Sequence, residues 1–151
     1  GSSWVASDIL AAYLVGQLEN FDSIQAKRHW IWNSYNSELT EWAAKQGVRL
    51  PQVPALAKHS AHMFYLHLQS IEVRDRFIEH MREKGVMAVF HYQALNTSEV
   101  GKRFGGNPGD CPVSESAAQT LVRLPLFVDL KDTEIDQIIS SVKEFETKYR
   151  G

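Results

Sequence analysis

The side chains with the most chemistry in this chain fall into three groups. His91 and Tyr92 stand side by side at the end of an apolar run. A neutral imidazole can hydrogen-bond a hydroxyl or a diphosphate and changes protonation with small changes of surroundings, whereas a satisfied histidine at a strand end does neither. Both readings of His91 are open at this level. His59, His62 and His67 invite a metal reading. No Cys, Asp or Glu stands nearby at ligand spacing, which favours structural roles and no metal. The stretch Gly105-Gly106-Asn107-Pro108-Gly109 is glycine-rich, but it lacks the Lys-Ser/Thr ending of a phosphate-binding loop and follows no clear strand. It reads as a surface loop.

Composition narrows the partners. The chain has 151 residues, 16 basic and 18 acidic, for a net charge of −2. It is long enough for one domain with a real core and carries no basic footprint for a phosphate backbone, so nucleic acid is not expected. A lone Cys111 cannot close an internal disulfide, and no apolar run reaches the roughly 20 residues that span a bilayer. A soluble protein of the reducing cytoplasm fits these facts. Trp30, Trp32 and Trp42 read as core or interface anchors rather than a stacking platform for bases.

The elements that must position these groups follow from periodicity. Ser7 caps a helix whose apolar residues Ile9, Leu10, Tyr13, Leu14, Leu18 and Phe21 recur at three- and four-residue intervals. Its free N–H groups and positive dipole end favour an anion, although an ordinary capped helix needs none. Asp22 is a second possible cap, opening a long helix through Ile24, Ile31, Tyr35, Leu39 and Trp42 that Gly47 stops. Pro51 and Pro54 mark an extended connector. Met63 to Leu68 predicts a strand, Ser70 to Lys84 a helix, and Val86 to His91 another strand. Gly101 to Asp110 predicts a loop and Ser114 to Gln119 a short helix. Leu121 to Leu124 predicts a strand stopped by Pro125, and Asp132 can cap a last helix with Ile135, Ile138, Ile139, Val142 and Phe145 inward. Helices stacked on a small sheet, an α/β (α+β) class, follow from that order.

Five ordered strings carry a family resemblance. The opening Gly1-Ser2-Ser3-Trp4 through Ser7-Asp8-Ile9, with Ala11-Ala12-Tyr13-Leu14 and Gln17-Leu18 behind it, resembles the helix that follows the cofactor lysine in DegT-type (DegT/DnrJ/StrS) sugar-nucleotide aminotransferases. His62-Met63-Phe64-Tyr65, Val89-Phe90-His91-Tyr92-Gln93-Ala94-Leu95, Pro112-Val113-Ser114-Glu115 and Leu124-Pro125-Leu126-Phe127 then occur in the order and spacing of that family's C-terminal half. The dTDP-4-amino-4,6-dideoxygalactose transaminase branch is the most similar.

The resemblance implies the C-terminal small domain of a fold-type-I pyridoxal-phosphate enzyme: long N-terminal helices, then a small, mainly antiparallel sheet with packed helices. Residues 1–60 correspond to interface helices and a connector, and 61–151 to the small domain. The parent enzyme is implied to be a homodimer that transfers an amino group from glutamate to a 4-keto-6-deoxy sugar nucleotide, in O-antigen or related polysaccharide synthesis. Its Schiff-base lysine lies upstream of Gly1, so no catalytic residue is expected here, and the isolated piece is expected to be inactive and free of cofactor. Ser3 matches a position that reaches the cofactor phosphate of the neighbouring subunit; a tag remnant at Gly1-Ser2-Ser3 is the competing reading. His91 and Tyr92 match the pair that approaches the sugar. Asn96 departs from the family, whose close branch has a second histidine there, and amide and imidazole differ in titration. Removed from its partners, the first helix is expected to drive self-association through its apolar face. An independent non-enzymatic α/β dimerisation or binding module is the alternative reading.

Overall fold

A computed structural model describes residues 4–147. Ser3, the expected cofactor contact, lies outside the described residues. Helix α1, Asp8–Glu19, starts at the expected cap, with Ser7 Oγ accepting from Leu10 N at 3.4 Å. None of its residues is buried: Ile9, Leu10, Tyr13, Leu14 and Leu18 all face outward.

Asn20, rather than Asp22, opens the long helix α2, Phe21–Gln46. The reason is local: Asn20 Nδ2 donates back to Gly16 O at 2.9 Å while Asn20 O accepts from Ser23 Oγ at 2.9 Å, so one residue ends α1 and begins α2. Asp22 sits in the first turn, where its charge complements the helix dipole. Gly47 closes the helix at φ +67°, a left-handed conformation that only glycine adopts at no steric cost. Ile31, Tyr35, Leu39 and Trp42 are buried along one stripe.

The sheet has three antiparallel strands in the order β1 (Phe64–His67), β3 (Leu121–Leu124), β2 (Val89–Phe90). Phe64 pairs with Leu124, and Arg123 stands between Tyr65 on one side and Val89 on the other. Alternation then gives the sheet two unlike faces. Phe64, Leu66, Val122 and Leu124 point into the core, while Tyr65, His67, Leu121 and Arg123 are half-buried on the outer face.

The core lies between the inner face of the sheet and the helices. Helix α3, Ile71–Glu83, capped by Ser70, contributes Phe77 and Met81; the last helix, Asp132–Glu144, contributes Ile135, Ile138, Ile139 and Val142. Aromatic rings tie α2 to the sheet, with Phe64 5.4 Å from the ring centres of both Trp32 and Tyr35. Two buried polar tips find carbonyls: Tyr35 Oη donates to Pro125 O at 2.8 Å and Trp42 Nε1 to Phe145 O at 3.1 Å. Burial pushes the Tyr35 phenol up from its ordinary range.

Three expectations about elements need correction. The strand expected over Val86–His91 is only two residues long. Continuing its register would set Met87 against Pro125, which has no N–H to donate. The stretch Gly101–Asp110 is not loop throughout: a helix, α4 (Glu99–Arg103), runs into it from Ser98, whose Oγ accepts from Gly101 N at 2.9 Å. Next comes α5, Pro112–Thr120, so the final helix is α6. Its cap is Lys131 rather than Asp132, because the Glu134 carboxylate reaches back to accept from Lys131 N at 2.8 Å.

Candidate substrate-binding site

The chain beyond β2 makes an abrupt turn, and the candidate site is built on it. Tyr92 has φ +49°, left-handed and costly for a side chain of its size, by about 1–3 kcal/mol. The turn separates the His91 and Tyr92 backbones from the ladder and sets their rings 4.7 Å apart. Strained residues that persist in a folded chain cluster at ligand sites.

Arg123 completes the corner. Its guanidinium lies 5.6 Å from the centre of the Tyr92 ring, within cation–π range. His91 follows directly on β2 and lies close enough to Arg123 for the guanidinium to act on it. Both residues hold buried nitrogen atoms with no hydrogen-bond partner: His91 Nδ1 and Arg123 Nε. Buried polar groups are ordinarily paired, so two orphans in one corner are a departure that needs a cause. Burial holds the His91 imidazole below its usual pKa, and the nearby Arg123 guanidinium pushes it the same way.

Two shallow clefts flank Tyr92. One, of about 400 Å³, is lined by His91, Tyr92, Asn96, Cys111 and Leu121. The other, of about 510 Å³, is lined by Tyr92, Arg74, Phe90, Thr97 and Glu115. Three of the sequence-predicted residues, His91, Tyr92 and Asn96, therefore share one cleft.

Asn96 nevertheless has an occupied donor. Its Nδ2 donates to Asn107 O at 2.8 Å and to Glu115 Oε1 at 2.6 Å. The Glu115 carboxylate also accepts from Gly109 N at 2.9 Å and Cys111 N at 3.2 Å, stapling the loop to the start of α5. These bonds, that from Asn96 first, hold the Glu115 carboxyl below its usual pKa. A depressed folded-state pKa stabilises the loop above the unfolded value, and the contribution is lost as pH falls through the folded one. Acidification is therefore expected to expose the Gly109 and Cys111 amides to hydrogen exchange before the core opens. Glu115→Ala, which removes both acceptor oxygens, should show fast exchange there at neutral pH and little further change on acidification; wild-type-like protection in that variant would contradict the staple.

The three histidines that invited a metal reading make separate contacts. His59 lies 4.6 Å from the Trp32 ring centre and 4.9 Å from that of His29. His62 Nδ1 is 2.9 Å from Ser60 Oγ, and His67 Nδ1 is 2.7 Å from Thr120 Oγ1. Among the described residues no three His, Cys, Asp or Glu are placed to hold a metal ion, and no helix is long and apolar enough to cross a membrane. No lysine lines either cleft, so the walls described here do not by themselves hold pyridoxal phosphate as a Schiff base.

Arg123 and Glu115 were missed as site residues in the sequence. Arg123 reads as one residue of a short strand, and only the cross-strand register places it beside His91. Glu115 sits inside a motif string, but its partners are six residues back at Gly109 and 19 back at Asn96.

A small antiparallel sheet backed by helices is a fold shared with solved aminotransferases. The aminotransferase TlmJ from Streptoalloteichus hindustanus superposes with a TM-score of 0.80 at 25% identity, over 92% of this chain and 36% of that one. Spr1654 from Streptococcus pneumoniae, solved in a PLP-form, superposes with a TM-score of 0.80 at 24% identity, over 91% and 35%. In sequence, the erythromycin biosynthesis sensory transduction protein EryC1 of Saccharopolyspora erythraea is 28% identical over 144 residues, 95% of this chain and 38% of its own length. The profile of the DegT/DnrJ/EryC1/StrS aminotransferase family matches residues 1–143. The chain belongs to that family, and it spans somewhat more than a third of the length of the relatives it matches.

Proposed function

We propose that this chain is the small-domain part of a sugar aminotransferase that moves an amino group from glutamate to a 4-keto-6-deoxy sugar nucleotide in the cytoplasm, for surface polysaccharide synthesis. The observation that carries the reading is the strained His91–Tyr92 corner, with its unpaired nitrogens, in a chain whose family is aminotransferases. Pyridoxal phosphate would be held by a lysine outside these residues, where it supplies the electron sink for the transfer. In this reading Ser3 donates to the cofactor phosphate across a subunit boundary, and His91 and Tyr92 bind the sugar. Asn96 lines the same cleft as a sugar contact and holds the lip at residues 105–109 in place through Asn107 O.

The apolar side chains left exposed along α1 support a homodimer, since burying them against a second copy removes a contiguous patch from water. One experiment tests the set. The gene product including sequence upstream of Gly1 should bind pyridoxal phosphate, sediment as a dimer and aminate a dTDP-4-keto-6-deoxy sugar from glutamate. The 151-residue chain should show no Schiff-base absorbance. A band in this chain that borohydride fixes to one of its own lysines overturns the reading, as does a longer product that forms no amino sugar.

A further inference from the structure

The outer face of the sheet sets a guanidinium beside two imidazoles and gives it no counter-charge. Arg123 stands between Tyr65 and Val89, and no carboxylate pairs with it among the described residues. A shallow hollow of about 180 Å³ opens beside it, lined by His62, Met63, Met87, Val89 and Pro125, again with no acidic residue. His91 joins from the end of β2, with both Arg123 and His62 close enough to act on it electrostatically. An arginine on a sheet face ordinarily finds a carboxylate, a carbonyl or full solvent. Arg123 Nε has none of these, and neither does His91 Nδ1. Tyr92 meanwhile packs on the guanidinium and orients it.

A guanidinium without a counter-charge, with buried and unpaired nitrogens on it and on the neighbouring imidazole, fits a site completed by an anion. We propose that Arg123, with His91 and His62 beside it, seats an oxyanion of the substrate, and that Arg123 is the residue that recognises it. A planar guanidinium presents paired N–H groups that match the oxygens of a carboxylate or of a phosphate. In the proposed reaction, on which the identity of the anion rests, these are the carboxylate of the amino donor and the diphosphate of the sugar nucleotide.

The seat is testable without turnover. In the 151-residue chain, the Arg123 Nε and His91 ring nitrogen resonances are followed at constant ionic strength while inorganic pyrophosphate is added, and separately while L-glutamate is added. One of the two probes is expected to shift both resonances saturably, and which one identifies the source of the oxyanion. Arg123→Gln should weaken that probe at least tenfold. Arg123→Lys, which keeps the charge and loses the fork, should weaken it less. His62→Gln, at the rim and away from the strand ladder, should weaken it about two- to fivefold, and amide spectra establish that each variant is folded. If neither probe saturates, or Arg123→Gln binds within twofold of wild type, the seat does not exist. Because anion binding is read in a chain expected to have no aminotransferase activity, that failure is distinct from a failure of the reaction assignment.

Discussion

Gly101→Ala is expected to unseat the turn that carries Asn96 while the core stays folded. Gly101 lies in α4 with ordinary helical backbone, so the constraint is space rather than conformation. A Cβ there would stand 1.9 Å from Leu95 O and 2.9 Å from Leu95 C, both backbone atoms that cannot rotate aside. Leu95 O is held by Ser98 N at 3.2 Å and Ser98 Oγ at 2.7 Å, and moving it breaks the cap of α4. Overpacking of this kind costs about 1–3 kcal/mol, and a short exposed helix has no buried surface with which to absorb it. Asn96 follows Leu95 directly, and its carbonyl lies 2.7 Å from a Cβ built at Gly106, so one displaced turn would loosen the whole lip. Hydrogen exchange at the Ser98, Gly101 and Gly106 amides should rise by roughly 5- to 150-fold, the factor that such an energy corresponds to, with the protection of α2 and α6 unchanged. Unchanged exchange at these three amides would show that the close approach is not what keeps glycine at this position.

This lip illustrates what could be read from the sequence and what could not. The stripe Ile31, Tyr35, Leu39 and Trp42, the cap Ser7 and the stop at Gly47 were legible because each depends on residues within one or two helical turns. Gly101 was read as a loop residue because glycine in isolation signals freedom, whereas here it signals contact with a backbone six residues earlier. Asn20 prevailed over Asp22 through a bond back into the preceding helix, which no cap preference anticipates. For the site, the family strings brought His91, Tyr92 and Asn96 forward, and the structure sets all three on one cleft. Arg123 remained hidden because its importance depends on strand order: only when β3 is placed between β1 and β2 does it come close to His91.

That dependence on strand order makes Phe64 the residue on which the site's foundation rests. Phe64 is fully buried, it is the residue of β1 paired with Leu124, and its ring meets both Trp32 and Tyr35. Phe64→Ala removes the ring's transfer free energy and leaves a cavity that α2 and the sheet can close only by moving together, a loss of about 3–5 kcal/mol. Against a whole-domain stability of about 5–15 kcal/mol, this is a large fraction. The neighbouring Tyr35 cannot follow the sheet freely, because its hydroxyl is tied to Pro125 O at the end of β3. Relaxation would therefore stretch that bond or leave the void open, and either outcome is destabilising. Chemical denaturation should show a midpoint shift of that size in Phe64→Ala and a smaller one in Phe64→Leu, which keeps most of the volume. The Arg123 side-chain resonance should broaden in Phe64→Ala below the unfolding transition, since Arg123 lies next to Leu124 on the strand that Phe64 anchors. A denaturation midpoint within error of wild type would mean that the sheet is held in place by something other than this aromatic contact with α2.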